Sequence, residues 1–202
     1  AAELLQKKQV SYMLYDGNEK LDEKNLREKS RALGDCEIYL GDLAEEVLEK
    51  TDIAVLSPGV PVDLPVVEQI RERGILIWGE IELAYQFAKG GLLAITGTNG
   101  KTTTTSLLGE IMGAYASDVQ VVGNIGIPYT SVAADTTEET VTVAEISSFQ
   151  LETAVDFHPQ VSAILNITPD HLNRHHTMAN YIAAKESIVK NQTRDCLLYT
   201  SD

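Results

Sequence analysis

The chain has 202 residues, 44% of them apolar, with 16 basic and 30 acidic side chains and a net charge of −14. That is enough apolar material for an ordinary soluble core. The acidic balance excludes sequence-independent nucleic-acid binding and disfavours an anionic membrane surface, since both need clustered Lys and Arg.

Helical periodicity is already under way in "AAELLQKKQ", with no initiating Met, and the sequence stops just after the apolar run "CLLYT". The expectation is a piece of a longer protein. "VSYMLYD" predicts a strand ending in Asp16, followed by a charged loop and helix from Gly17 to Lys29. "DIAVLSPGV" predicts a strand that ends in a Pro-Gly turn. "LPVVEQIRERG" predicts a helix with Gly74 near its C-cap. "ILIW" predicts a strand and "EIELAYQFAK" a helix closed by Gly90-Gly91. The beat then restarts, with a strand at 92–96, a helix over 101–115, strands in "VQVV", "VTVAEI" and "SAILNI", and a helix over 178–190. Strands alternating with helices predict βαβ units and a mainly parallel sheet. Gly90-Gly91 is the expected domain boundary. Cys36 and Cys196 sit in no ligand-like spacing, so neither a disulfide framework nor a zinc site is expected. With no long apolar run and no signal peptide read in the sequence, a cytoplasmic protein is the expectation.

The most informative stretch is "ITGTNGKTTTT", residues 95–105. Thr loses side-chain freedom in a helix, so a threonine run is a poor way to begin one. The glycines, lysine and threonines lie between an apolar strand and a helix, the context of a phosphate loop. Backbone N–H groups of such a loop point at anionic oxygens. Gly97 and Gly100 let the backbone approach phosphate, Lys101 would reach β- and γ-phosphates, and the Thr102 hydroxyl would bind Mg²⁺. The spacing departs from G-x-x-x-x-G-K-[ST], because Ile95 stands where the first glycine belongs and the motif shortens to G-x-x-G-K-T. By itself the loop implies a nucleoside triphosphate and no more.

The loop resembles that of the Mur ligases and folylpolyglutamate synthetases, ATP-dependent amide-forming enzymes. "VVGNIGIP" at 121–128, "AEISSFQLE" at 144–152, "LNITPDHLNRH" at 165–175 and "YIAAKESI" at 181–188 narrow the resemblance to Mur ligases that add D-glutamate to UDP-N-acetylmuramoyl-L-alanine. "LSPGVP" and "GEIEL" fit the N-terminal domain of that branch, and the resemblance covers nearly all of residues 1–193. It implies an α/β fold in which residues 1–90 form a Rossmann-like UDP-substrate-binding domain lacking its first strand. Residues 91–195 would be a truncated central P-loop ATPase domain, and 196–202 either the next strand or foreign read-through. It further implies a monomeric ligase of peptidoglycan-precursor synthesis, working through an acyl phosphate. The D-glutamate site would lie outside this chain, which alone would be inactive.

Residue by residue, the resemblance assigns ATP to Gly97, Thr98, Asn99, Gly100, Lys101, Thr102 and Thr103. It makes Lys101, Glu145, His171 and Lys185 catalytic, with two Mg²⁺ sites served by Thr102, Glu145, His171 and a carbamylated Lys185. By itself Lys185 reads as a solvated helix residue, as Lys190 does, and carbamylation would need its amine pKa lowered by burial or by nearby cations. Tyr181 and Ile182 would share its helix face. Asp170 would orient the His171 turn, while His175 and His176 read as satisfied loop residues. Asn124 and Gln150 would contact the muramoyl substrate, Asp16 the ribose or base, and Ser57 and Gly59 the diphosphate. Three readings stay open: the D-glutamate-adding branch, another Mur ligase or folylpolyglutamate synthetase, and a nucleotide-binding module without activity.

Overall fold

Short apolar runs and amphipathic helices alternate as the sequence predicts, and among the described residues every strand pairing is parallel. The computed structural model describes residues 1–30, 33–34, 36–124 and 126–200. Ile125 of the "GNIG" turn and the last two residues of the tail therefore lie outside the described residues.

In the N-terminal region, α1 (Ala2–Lys7) leads to β1 (Met13–Asp16), α2 (Glu23–Lys29), β2 (Glu37–Leu40), α3 (Glu45–Glu49), β3 (Ile53–Leu56), α4 (Pro65–Glu72), β4 (Leu76–Gly79) and α5 (Glu80–Phe87). Local chemistry sets several of these ends. The Asp22 side chain caps α2 by accepting from Lys24 N–H at 3.0 Å. Pro65 opens α4, where its missing N–H costs no helical bond. The strands form two separate pairs, β1-β2 and β3-β4, in place of one continuous sheet.

From Gly91 the chain builds a single five-stranded sheet. Its strands are β5 (Gly91–Thr96), β6 (Val119–Gly123), β7 (Val141–Glu145), β8 (Val161–Ile164) and β9 (Leu197–Thr200), in the order β6-β7-β5-β8-β9. Helix α6 (Lys101–Gly113) follows β5, and α7 (Tyr129–Val132), α8 (Ser148–Leu151), α9 (Leu172–His175) and α10 (Met178–Glu186) complete the region. The helix predicted over 178–190 stops at Glu186 and tightens into a 3-10 turn, Ser187–Val189. There the Ser187 hydroxyl donates to the Ala184 carbonyl at 2.8 Å, competing with the helical ladder. The residues at 197–200 pair with β8 as an edge strand.

The core crosses the Gly90-Gly91 position. Leu4 of α1 and Ile81, Leu83 and Ala84 of α5 are buried in the same cluster as Leu92, Ala94, Ala144 and Phe157. Helix α5 is thus shared between the two regions. Glu82 fixes it there: fully buried, it accepts backbone N–H groups of Val155, Asp156 and Phe157 at 2.8, 3.1 and 3.0 Å. Among the described residues no helix is long and apolar enough to cross a membrane.

Candidate nucleotide and substrate site

The strand order creates the site. The chain leaves β5 for β6, beyond β7, and later returns to place β8 on the other side of β5. Such a reversal opens a crevice at the carboxyl ends of the strands. The 97–100 loop leaves β5 there, Asn124 follows β6, Glu145 ends β7, and the 165–171 segment follows β8.

The loop is shaped by glycine and pinned from the β8 side. Gly97 has φ +151°, and a Cβ there would lie 3.1 Å from Leu165 Cβ; Gly100 has φ +82°. Asn166 accepts from Thr98 N–H through its carbonyl at 2.9 Å and from Asn99 N–H through Oδ1 at 2.9 Å. Its Nδ2 donates to the Asn99 carbonyl at 3.0 Å. The Thr98 hydroxyl lies 3.0 Å from the Tyr181 hydroxyl and accepts from Thr168 N–H at 3.0 Å. Thr103 is exposed one residue beyond Thr102.

Two lysines converge on one carbonyl. Lys101 Nζ donates to Gly97 O at 3.0 Å and Thr98 O at 2.9 Å, while Lys185 Nζ donates to Gly97 O at 2.8 Å. Lys185 is 1% exposed, and its ammonium lies 4.7 Å from the Tyr181 ring centroid. Burial, with Lys101 charge adding to it, lowers the Lys185 pKa to about 8. A neutral amine is therefore accessible near physiological pH. Ile182, its expected companion, is only half-buried.

Glu145 is buried at the end of β7. Its carboxylate accepts from the Thr102 hydroxyl at 2.8 Å and from Asn124 Nδ2 at 2.9 Å. A side chain on Gly123 would strike the Glu145 carbonyl, so only glycine lets β6 pass this close. His171 differs from Glu145 in exposure: half its side chain is exposed, its φ is +51°, and its Nε2 lies 3.4 Å from Asp170 Oδ2. Its ring rests against Phe149, with centroids 4.9 Å apart. Among the described residues no three His, Cys, Asp or Glu side chains converge as a metal cage. The Glu145 carboxylate and Thr102 hydroxyl nevertheless suit Mg²⁺. That ion keeps several waters and phosphate oxygens and needs only one or two protein ligands.

A cleft of about 200 Å³ lies between the two regions, lined by Pro58, Glu80, Ile81, Gly123, Asn124, Pro128, Tyr129, Thr130 and Gln150. Asn124 and Gln150 thus meet in one cleft. Gln150 Oε1 also accepts from Ser147 N–H at 2.9 Å, closing a capping box that fixes the start of α8. Ser57 and Gly59 are exposed and flank Pro58 in a turn closed by Val60 N–H donating to Ser57 O at 2.9 Å. Asp16 is exposed at the end of β1, where Oδ1 accepts from Asn18 N–H at 2.8 Å. None of Asp16, Ser57 and Gly59 lines the cleft.

The family model for the Mur ligase middle domain matches residues 95–202, over half of the chain, and that for the Mur ligase MurD-like N-terminal domain matches residues 1–79. The chain belongs to the Mur ligases. It is 56% identical over 206 residues to a UDP-N-acetylmuramoylalanine--D-glutamate ligase of Lachnospira eligens, covering 100% of this chain and 45% of that protein. It is 53% identical over 204 residues to the ligase of the same name from Lachnoclostridium phytofermentans, with coverages of 100% and 45%. The Clostridioides difficile ligase of that name is 48% identical over 182 residues, with coverages of 89% and 40%. The chain thus spans about 45% of the length of the first two relatives. A Neisseria meningitides UDP-N-acetylmuramate:L-alanyl-gamma-D-glutamyl-meso-diaminopimelate ligase shares the fold, with a TM-score of 0.59 at 18% identity, over 99% of this chain and 66% of that one. MurF from Acinetobacter baumannii does so with a TM-score of 0.52 at 22% identity, over 95% and 40%.

In this Mur ligase chain, His175 corrects a sequence expectation. It is not a loop residue but the buried end of α9, with Nε2 2.9 Å from Ser148 Oγ and Nδ1 3.2 Å from Glu152 Oε1. Burial lowers its pKa, against the raising effect of Glu152. His176 is exposed, 3.2 Å from Asp63 Oδ2. Sequence reasoning missed Asn166 and Tyr181 as partners of the loop, and Glu80 and Pro58 as walls of the cleft. Each acts across more than 20 intervening residues, where no local pattern signals a contact.

Proposed function

We propose that this Mur ligase chain carries the nucleotide- and UDP-substrate-binding part of a cytoplasmic ATP-dependent ligase that joins D-glutamate to UDP-N-acetylmuramoyl-L-alanine. The observation that carries it is the buried Glu145 carboxylate held by Thr102 at the mouth of the 97–101 loop, in a chain 56% identical to a relative of that name. In the reaction, the substrate's alanyl carboxylate attacks the γ-phosphorus of ATP and ADP leaves; the D-glutamate amine then opens the acyl phosphate and releases phosphate. Mg²⁺, when bound, would supply neutralisation of the phosphate charge.

The chain's own groups divide this work. Backbone N–H groups of residues 100–103 cradle the phosphates, those of Thr98 and Asn99 shape the loop through Asn166, and Lys101 moves from its carbonyl partners to the terminal phosphate oxygens. Thr102 and Glu145 would supply oxygen ligands for one metal ion. His171 and a carbamylated Lys185 would serve the second; the buried, pKa-lowered amine of Lys185 is the property that carbamylation requires. Asn124 and Gln150 hold the muramoyl part in the cleft, and Asp16, Ser57 and Gly59, which lie outside its lining, take the uridine diphosphate. The D-glutamate site belongs to the remaining length of the relatives.

The test is phosphate release by the full-length enzyme with ATP and UDP-N-acetylmuramoyl-L-alanine, screened over acceptor amino acids. D-glutamate should be the acceptor used. Preferred turnover of another amino acid, or of a folate, would overturn the assignment.

A further inference from the structure

The 57–60 turn and α8 bound the same cleft through Pro58 and Gln150, although they are far apart in sequence. One side chain spans them. Arg174 of α9 donates through Nη2 to the Val60 carbonyl at 2.9 Å and to Glu152 Oε2 at 2.6 Å, and through Nε to the same Glu152 oxygen at 3.2 Å. The pair is sheltered, with side chains 11% and 12% exposed. Glu152 is the C-cap residue of α8, and its other oxygen faces His175 Nδ1. His175 in turn reaches Ser148, at the start of α8. The guanidinium also lies over Phe149, 5.0 Å from its ring centroid. Helix α8 is therefore gripped at both ends by neighbouring residues of α9, and the same guanidinium reaches out of that network to a backbone carbonyl of the N-terminal region.

We propose that Arg174 is a positioning residue that sets the width of the UDP-substrate cleft by strapping the 57–60 turn to α8. The inference rests on the cleft being the UDP-substrate site. Arginine is required because its planar fork can meet a carboxylate and a carbonyl at once while sitting over an aromatic ring. A lysine offers a single point charge and cannot do all three. Without the strap, the substrate has to order the turn as it binds, and that ordering weakens binding.

Calorimetric titration of the full-length enzyme separates the possibilities, using UDP-N-acetylmuramoyl-L-alanine and, independently, a non-hydrolysable ATP analogue. Arg174→Lys keeps a cation beside Glu152 and so protects the fold. It should raise the Kd for the UDP compound about tenfold, the scale of one lost charge-assisted hydrogen bond. The Kd for the ATP analogue should stay put. Hydrogen exchange should quicken over residues 57–64 and not in β5 or β7. An unchanged UDP-compound Kd would overturn the strap. So would equal weakening of both ligands with faster exchange throughout, which would make Arg174 a stability element. A wild-type chain that binds the ATP analogue but no UDP compound would instead overturn the reading of the cleft, and the strap with it.

Discussion

The N-terminal strands and the central sheet are built from the same parts: short, parallel, apolar strands. Their burial differs. In β5, Leu92, Ala94, Ile95 and Thr96 are 3%, 1%, 1% and 0% exposed. Across β1, β2 and β3 no residue is buried, and β4 buries only Gly79. A strand with neighbours on both sides and covered faces holds its end fixed, and the 97–101 loop hangs from such an end. Two-stranded pairs are marginal alone, and the β3-β4 pair leans on α5. Chemistry that depends on placement within about half an ångström belongs on the first kind of strand.

The largest expected effect tests that location. Lys101→Ala in the full-length enzyme should lower ATP turnover by on the order of 10²–10³, because no other side chain of the 97–101 loop is a cation. Near-normal kcat would remove the phosphate-loop assignment. Lys185→Ala should lose about 10² in rate and recover part of it with acetate or formate, whose carboxylate fills the anion position. Lys185→Arg should not recover. An active Lys185→Arg variant would mean that the lysine works as a plain cation.

The joint between the regions comes next. Glu82→Ala leaves three backbone N–H groups of residues 155–157 without their acceptor, which should cost about 3 kcal/mol. Chemical denaturation measures it, and a loss within the scatter of surface substitutions would show that α5 is held by packing alone. Hydrogen exchange sharpens the contrast between sheets: β1–β4 amides should open at free energies about 2 kcal/mol below those of β5 and β7. Uniform protection across both regions would erase the comparison.

The smallest effect is pH-dependent stability. Lys185 has its folded pKa lowered to about 8 from 10.5. Between those values the unfolded chain binds more protons at this site than the folded one. The site's contribution is therefore unfavourable below pH 8 and is relieved as pH rises toward 10.5, with a slope of at most about 1.4 kcal/mol per unit. Lys185→Met should lack that rise. Denaturation midpoints of the two proteins that run parallel over this range would show that the amine is not perturbed by the fold.

Local chemistry was legible in the sequence. The period of apolar residues announced the alternating strands and helices, and glycines with a lysine and threonines announced a phosphate loop, because backbone approach and turn geometry depend on adjacent residues. The resemblance of "AEISSFQLE" and "YIAAKESI" pointed to Glu145 and Lys185, yet nothing within either string says why they sit where they do. Short elements such as α7, α8 and α9 escaped, because one helical turn has no period to detect. The tertiary structure alone decided that Lys185 meets Gly97 across 88 positions, that Thr102 and Glu145 share a bond across 43, and that Arg174 crosses to Val60 across 114. It decided too that α5 packs into a core shared by both regions. Periodicity tells a residue which way to face on its own element. What it faces is settled by strand order, which brings the carboxyl ends of β5, β7 and β8 together and buries the groups between them.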